Sequence, residues 1–299
     1  MMPGGPIWTI EAPAKVNLGL EILGRRSDRY HEIRSIIAMI DLTDTLTMTR
    51  SDYTGGQVTR ITGMQNQADD NLITQAATLL GLPLDVEIVK RIPIAAGLGG
   101  ASSDAAATLQ VANGMRTDPL TNDELVNLAA TLGSDIPFFL GAPCASVTGR
   151  GTDLTPLPSP EGWIVLATPS VRIPDKTRSL YRSLVHSDFT NGARILHQES
   201  NLRAKKPLDS ALTGNAFSRA LEALLPLVVN LKRDMSLSGC PFVALSGAGP
   251  THYTVVATYS QARSIAEILA ANGTTDAEIH VTKFRSVGLE VALPCIDGR

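Results

Sequence analysis

Pro93-Ile94-Ala95-Ala96-Gly97-Leu98-Gly99-Gly100-Ala101-Ser102-Ser103-Asp104-Ala105-Ala106 joins a strand-like run with Val86, Ile88 and Ile92 to an alanine-rich helical segment that ends near Gly114. Three glycines strip Cβ atoms from the turn, so its backbone can approach a bulky anion and take positive φ. Ser102, Ser103 and Asp104 are residue types that cap helices. The unpaired amides of a first helical turn carry partial positive charge and form a phosphate site. The string therefore predicts a strand–loop–helix unit that holds the phosphates of a nucleotide. Two better-known glycine motifs do not fit. A Gly-Lys-Ser/Thr ending is absent, since no lysine lies between Arg91 and Arg116, and the last glycine of Gly-x-Gly-x-x-Gly falls on Ser102. The alternative is a small-residue turn that only lets a helix pack closely on a sheet. Such a turn does not require proline, three glycines and a double serine in series.

Outward from the loop, residues 7–50 read as strands. In APAKVNLGLEIL, Val16, Leu18, Leu20 and Ile22 alternate with Lys15, Asn17, Gly19 and Glu21, so period two puts Lys15 and Asn17 on one polar face. Residues 71–80 read as helical, and Thr121-x-x-Glu124 is a capping box opening a helix that stops at Gly133. The proline-rich stretch 154–162 divides the chain into an N-terminal domain, 1–158, and a C-terminal domain, 159–299. After it come a strand from Trp163, a mostly helical polar middle to about Lys232 and a strand–turn–strand unit around Gly247-Ala248-Gly249-Pro250. A helix from Ser260 to Asn272, capped by Gly273, and a last strand from His280 to Phe284 complete it. Strands and helices mix without strict alternation, which predicts an α+β fold in two lobes.

The 299 residues are 43% hydrophobic and 18% charged, an ordinary globular composition with a net charge of −3. That charge gives no reason to expect nucleic acid; only Arg25-Arg26 and Lys205-Lys206 form basic doublets. Cys144, Cys240 and Cys295 form neither a disulfide framework nor a metal-ligand pattern. The start MMPGGPIWTI has no basic region followed by an apolar stretch, and no apolar run nears the roughly 20 residues that cross a bilayer. A cytoplasmic protein without a membrane partner is expected.

Phosphoryl transfer also needs cations on the moving charge and a group that orients or deprotonates the acceptor hydroxyl. Lys15 on its strand and Asp135 in Gly133-Ser134-Asp135-Ile136-Pro137 are candidates. Taken singly, the first reads as a solvated surface lysine, the second as a helix cap before X-Pro, and Gly247–Pro250 as a tight hairpin.

Together these pieces resemble the GHMP kinase superfamily, which includes galactokinase, homoserine kinase and mevalonate kinase. The loop matches Pro-x-x-x-Gly-Leu-Gly-Gly-x-Ser-Ser at Pro93–Ser103. The strings APAKVNLGLEILGRRSDRYHE (12–32), DDNLI (69–73), GSDIPFF (133–139) and LSGAGPT (245–251) resemble the branch acting on cytidine-diphosphate-linked methylerythritol. Residues 185–230 match least. The resemblance implies a two-lobed fold with the active site in the cleft between domains: a nucleotide-binding 1–158 and a substrate-side 159–299. It also implies ATP-dependent phosphorylation of the acceptor's 2-hydroxyl, in the non-mevalonate route to isoprenoid precursors, by a monomer or weak homodimer.

By the same resemblance Asp135 is the general base, and Lys15 keeps it ionised and stabilises the transferring phosphoryl group. Pro93, Ile94, Ala95, Ala96, Gly97, Leu98, Gly99, Gly100, Ala101, Ser102 and Ser103 wrap the ATP triphosphate, bridged by Mg²⁺ whose protein ligands stay open. Asn71 lies near the adenine. Asn17, Tyr30 and His31 line the acceptor site, Ser246, Gly247, Ala248 and Gly249 close over its phosphates, and Thr177 and Tyr181 face the cytosine. Two residues depart from the family pattern: Arg29 stands where the family has glycine, and Ala248 where it often has serine. The alternatives are a kinase of the same superfamily acting on homoserine, a mevalonate or a sugar, and a non-catalytic nucleotide-binding regulator. The latter predicts loss of the base or the lysine, and both Lys15 and Asp135 are present.

Overall fold

The computed structural model describes residues 6–51, 59–63, 71–273 and 275–290. Met1–Gly5, the first two residues of the DDNLI string and Cys295 lie outside them. The first half holds strands β1 (Trp8–Arg25), β2 (His31–Arg50) and β3 (Arg60–Thr62), helix α1 (Leu72–Leu79) and strand β4 (Leu84–Val89). Helices α2 (Gly100–Gly114), α3 (Asn122–Leu132) and α4 (Ile136–Phe139) follow, then strands β5 (Cys144–Thr148) and β6 (Asp153–Pro156). Beyond these lie β7 (Trp163–Pro169), helices α5 (Lys176–Arg182), α6 (Ala193–Arg203), α7 (Ser218–Leu224) and α8 (Leu227–Leu237), strands β8 (Ala244–Leu245) and β9 (His252–Val256), helix α9 (Tyr259–Asn272) and strand β10 (Ala277–Lys283). This is the expected α+β mixture. Leu154–Pro156, expected as linker, instead pair with β5 as an edge strand, where a terminal proline leaves no ladder donor missing inside the sheet.

β1 to β6 form a six-stranded sheet in which β2 pairs with β1 along its length and shares its other edge between β4 and β5. β7 to β10 form a four-stranded antiparallel sheet in the order β10-β7-β9-β8. One core lies between the first sheet and helices α1 to α4 and continues into Leu180, Phe217, Leu221 and Val228 of the second half, and a second joins residues of both sheets, among them Val16, Leu18, Ile36, Ile164, Leu166 and Tyr253. Each fully buried aliphatic side chain there contributes roughly 1.5–3 kcal/mol.

The pairing of β1 with β2 shifts register between Pro13 and Ala14 and again between Asn17 and Gly19. Such irregularities re-aim side chains. Ala14, Val16 and Leu18 accordingly enter the second core, whereas Leu20 and Ile22 enter the first. The single alternating face expected for positions 16 to 22 is thus split. Lys15 and Asn17 do share a face, but that face is buried, with both residues 5% exposed.

The entry to the glycine loop is fixed by Asp44 of β2, whose Oδ1 accepts the backbone N–H groups of Arg91 (2.6 Å) and Ile92 (2.9 Å). Its Oδ2 accepts from Lys90 Nζ at 2.5 Å, and the same ammonium donates to Asp104 Oδ2 of α2 at 2.7 Å. Two buried carboxylates therefore share one lysine. Burial pushes the Asp104 carboxyl up to about 7, with Asp44 adding to the shift and Lys90 opposing it. A carboxyl raised above its unfolded value keeps a proton in the folded state that the unfolded chain has lost. Its contribution to stability therefore falls as pH rises from about 4 to about 7. The difference in unfolding free energy between wild type and Asp104→Asn should move against wild type across that window in urea denaturation. A flat or opposite trend would mean that Lys90 outweighs burial and holds Asp104 ionised.

Candidate active site

α2 starts at Gly100, two residues earlier than the serines suggest, and its N-cap Gly99 sits at φ +75° without a side-chain cap bond. Ser103 N donates to Gly99 O at 2.9 Å as the first intrahelical bond. The amides before it keep their N–H groups for a ligand. Gly97, at φ +82°, cannot carry a Cβ, because one would stand 2.4 Å from Ser246 O. Ala95 takes a left-handed φ of +57° without being glycine. Lys15 N donates to Leu98 O at 2.9 Å, so β1 and the loop are joined through the backbone.

Lys15 Nζ donates to Asn17 Oδ1 at 2.6 Å. Asn17 is itself braced: its Nδ2 donates to Ser35 Oγ at 2.9 Å, and its carbonyl accepts from the buried Tyr253 hydroxyl at 2.8 Å. Burial lowers the Lys15 pKa, and the nearby Asp135 carboxylate acts against that shift. Asp135 has α-region backbone angles (φ −85°, ψ −17°) and makes no cap hydrogen bond, so the capping role expected of it is not used. Its carboxylate is left for the cavity.

That cavity has a volume of about 930 Å³ and brings together Lys15, Asn17, Tyr30, His31, Gly97, Gly99, Ser102, Asp135, Thr177, Tyr181, Gly247 and Ala248. Thr177 and Tyr181 are brought into it from α5. Ser246 is fully buried instead, its Oγ donating to Gly97 O at 3.0 Å. Gly249 packs with Leu221 and Leu245, and a Cβ there would lie 2.7 Å from Leu221 Cδ2. Ala96 and Leu98 are core residues, Ser103 is buried, and Gly100 and Ala101 open α2. Pro93 and Ile94 face a separate cavity of about 430 Å³ beside Lys90, Arg91 and Arg172. Asn71 caps α1, its Oδ1 accepting from Ile73 N at 2.9 Å, and does not line the large cavity.

The far wall is aromatic. His31 stacks on Tyr181 with ring centres 4.9 Å apart and planes 22° apart, and Tyr181 meets Phe217 edge-on at 4.9 Å. Burial, with Arg25 nearby, lowers the His31 pKa, and its Nε2 has no hydrogen-bond partner among the described residues. Arg150 lies 4.0 Å over the exposed Tyr30 ring. Arg29 takes the left-handed region at φ +70°. The turn conformation that a glycine would favour therefore persists with arginine in its place.

Sequence reasoning missed the charge of this cavity. Among the described residues lining it, Lys15, Arg25, Arg26, Arg29, Arg150, Arg178 and Arg182 are cationic, while Asp135 alone is acidic. The chain's net charge of −3 hides an exposed, arginine-rich rim, of which Arg26 is ion-paired with Asp28 and Glu32. It also missed Lys176, which adjoins the predicted Thr177. No group of three or more His, Cys, Asp or Glu among the described residues could hold a metal ion. A divalent cation fits this cavity only when carried in on phosphates, beside one carboxylate and the Ser102 hydroxyl.

A family model for the GHMP kinase N-terminal domain matches residues 71–142. The chain is 37% identical over 278 residues, covering 89% of it and 95% of the relative, to 4-diphosphocytidyl-2-C-methyl-D-erythritol kinase of Dehalococcoides mccartyi. Identity is 35% over 259 residues (83% and 87%) with the enzyme of the same name from a Geobacillus strain. A crystal structure of 4-(cytidine 5'-diphospho)-2C-methyl-D-erythritol kinase superposes with a TM-score of 0.76 at 30% identity, covering 92% of this chain and 98% of that one. Homoserine kinase from Cytophaga hutchinsonii shares the fold, with a TM-score of 0.72 at 17% identity over 98% of both chains. Fold, loop and matches together define an ATP-using small-molecule kinase. The chain belongs to the 4-diphosphocytidyl-2-C-methyl-D-erythritol kinase family of the GHMP kinases.

A Cβ built on Gly99 points into protein, 2.9 Å from Phe139 Cζ and 3.0 Å from Lys15 Cγ, and away from open phosphate space. Gly99→Ala should therefore displace Lys15 and lower kcat by at least about tenfold. Steady-state kinetics showing unchanged turnover would mean that Lys15 is not held at the reacting centre.

Proposed function

We infer that the protein transfers the terminal phosphoryl group of ATP to the 2-hydroxyl of 4-diphosphocytidyl-2-C-methyl-D-erythritol, a step toward isoprenoid precursors. The observation that carries this reading is one cavity combining glycine-bared helix amides, a buried lysine, one carboxylate, an aromatic far wall and an arginine-rich rim. The triphosphate lies along the Gly97–Ser103 part of the loop, with the adenine toward Asn71. Its γ-phosphoryl group faces Lys15, and Mg²⁺ borne on the phosphates neutralises part of their charge when bound. The active site is the cleft between an N-terminal lobe, 1–158, and a C-terminal lobe, 159–299.

Each residue does a physical task. Asp135 accepts the proton of the acceptor hydroxyl. Lys15 counters negative charge that gathers on the transferring group, and in a site withdrawn from water that charge acts strongly. Asn17 orients Lys15 through its amide oxygen. Gly247 and Ala248 offer backbone to the acceptor's diphosphate, with Ser246 and Gly249 shaping the turn behind them. Tyr30, His31, Thr177 and Tyr181 receive the cytosine, where stacking on aromatic faces supplies roughly 1–3 kcal/mol. The His31 Nε2, unpartnered among the described residues, suits a hydrogen bond to the base edge.

Two measurements test the reading. ADP release with a panel of acceptors should be fast with the cytidine-diphosphate compound and slower by orders of magnitude with homoserine or mevalonate. Comparable rates on either of those would assign the chain a different acceptor. Asp135→Asn should lower kcat by about 10²–10⁴ while nucleotide affinity changes little, and full turnover in that variant removes the base assignment.

A further inference from the structure

Lys176 opens α5 behind Asp175, which sits at φ +48°. It is buried, and its Nζ donates to Ala95 O at 2.6 Å and also to Gly249 O. Burial and the charge of Lys15 push this ammonium down to about 8, and among the described residues no carboxylate offsets them. A buried cation held by two main-chain carbonyls alone is an uncommon arrangement, because desolvation disfavours it unless those acceptors are well placed. Ala95 belongs to the phosphate loop and stands in a conformation disfavoured for a residue with a Cβ. Gly249 ends the turn that borders the acceptor side of the cavity. Two neutral ties cross the same seam, Thr251 N to Ala96 O at 3.3 Å and Ser246 Oγ to Gly97 O. Lys176 is the charged tie, and hydrogen bonds from charged donors are the stronger kind.

We propose that Lys176 is a positioning residue for phosphoryl transfer: its ammonium clamps the phosphate loop at Ala95 to the Ser246–Gly249 turn, so nucleotide binding on the loop orders the acceptor side. This deepens the reading above and rests on it. Lys176 and Ala95 line a side cavity that adjoins the main one and shares Gly97, Thr177, Tyr181 and Ala248 with it, but neither lines the main cavity itself, and the Lys176 ammonium is already engaged by its two carbonyls. It therefore acts through the two loops rather than on the reacting atoms. An anion bound to the loop amides shifts their carbonyls, Ala95 O among them. The shared ammonium passes that shift to Gly249 O, because a cation between two acceptors answers to both.

Hydrogen exchange with and without ADP and Mg²⁺ reads this coupling without any acceptor, so it stands apart from the question of which alcohol is phosphorylated. In wild type, nucleotide should slow exchange at 97–103 and, by at least about fivefold, at 245–251. Lys176→Met should keep the response at 97–103 and lose it at 245–251. Lys176→Gln, which retains an N–H donor in case the methionine variant folds poorly, should behave like Lys176→Met. An undiminished response at 245–251 in these variants overturns the proposal, even if their melting temperature drops, since a merely structural lysine predicts that result. A wild-type turn that ignores nucleotide while the loop responds also overturns it. A wild-type loop that ignores nucleotide overturns the phosphate-loop reading together with the clamp.

Discussion

An ammonium group withdrawn from water needs compensation worth several kcal/mol, and at Lys15 it comes from the Asn17 amide oxygen and the field of Asp135. Much of the surrounding architecture keeps those groups in place. Ser35 and Tyr253 fix Asn17 from β2 and β9. Leu98 O accepts the Lys15 backbone N–H, and Ser246 Oγ lies 3.4 Å from Asn17 N as its acceptor. The two sheets meet where this lysine is buried, so the packing that stabilises the fold also aims its charge.

The register shifts of β1 make that arrangement possible. A regular strand would send positions 14 to 22 of one parity into a single core. By shifting at Pro13/Ala14 and at Asn17/Gly19, β1 serves two cores and leaves Lys15 and Asn17 facing the glycine loop. Gly99 then has to lack a side chain because Lys15 and Phe139 fill the adjoining space. At Gly97 and Gly99 the missing side chains serve close packing, as the packing-turn reading of the string expected, while anion binding is the proposed role of the first amides of α2.

What the sequence made legible was mostly short-range. The strand carrying Lys15 and Asn17, the loop-to-helix junction and the capping box at Thr121 each follow from spacings of a few residues, and all three are present. Asp135 escaped its expected capping role because α4 leaves it in a helical backbone conformation, which adjacent sequence does not encode. Ser246 was read as a phosphate contact, but its hydroxyl is used to tie Gly97. The arginine-rich rim draws on segments near residues 25, 150 and 180, and Lys176 reaches back to Ala95 and forward to Gly249. Nothing in the local pattern of Asp175-Lys176-Thr177 announces either partner, because both contacts depend on tertiary closure.

The most direct measurement is a crystal structure with Mg²⁺ and a non-hydrolysable ATP analogue. The account requires the γ-phosphorus to sit over the first amides of α2, with Lys15 Nζ and the Asp135 carboxylate on either side of its line of transfer. A triphosphate lodged instead beside Lys90, Arg91 and Arg172, or a γ-phosphorus out of reach of both Lys15 and Asp135, would contradict it.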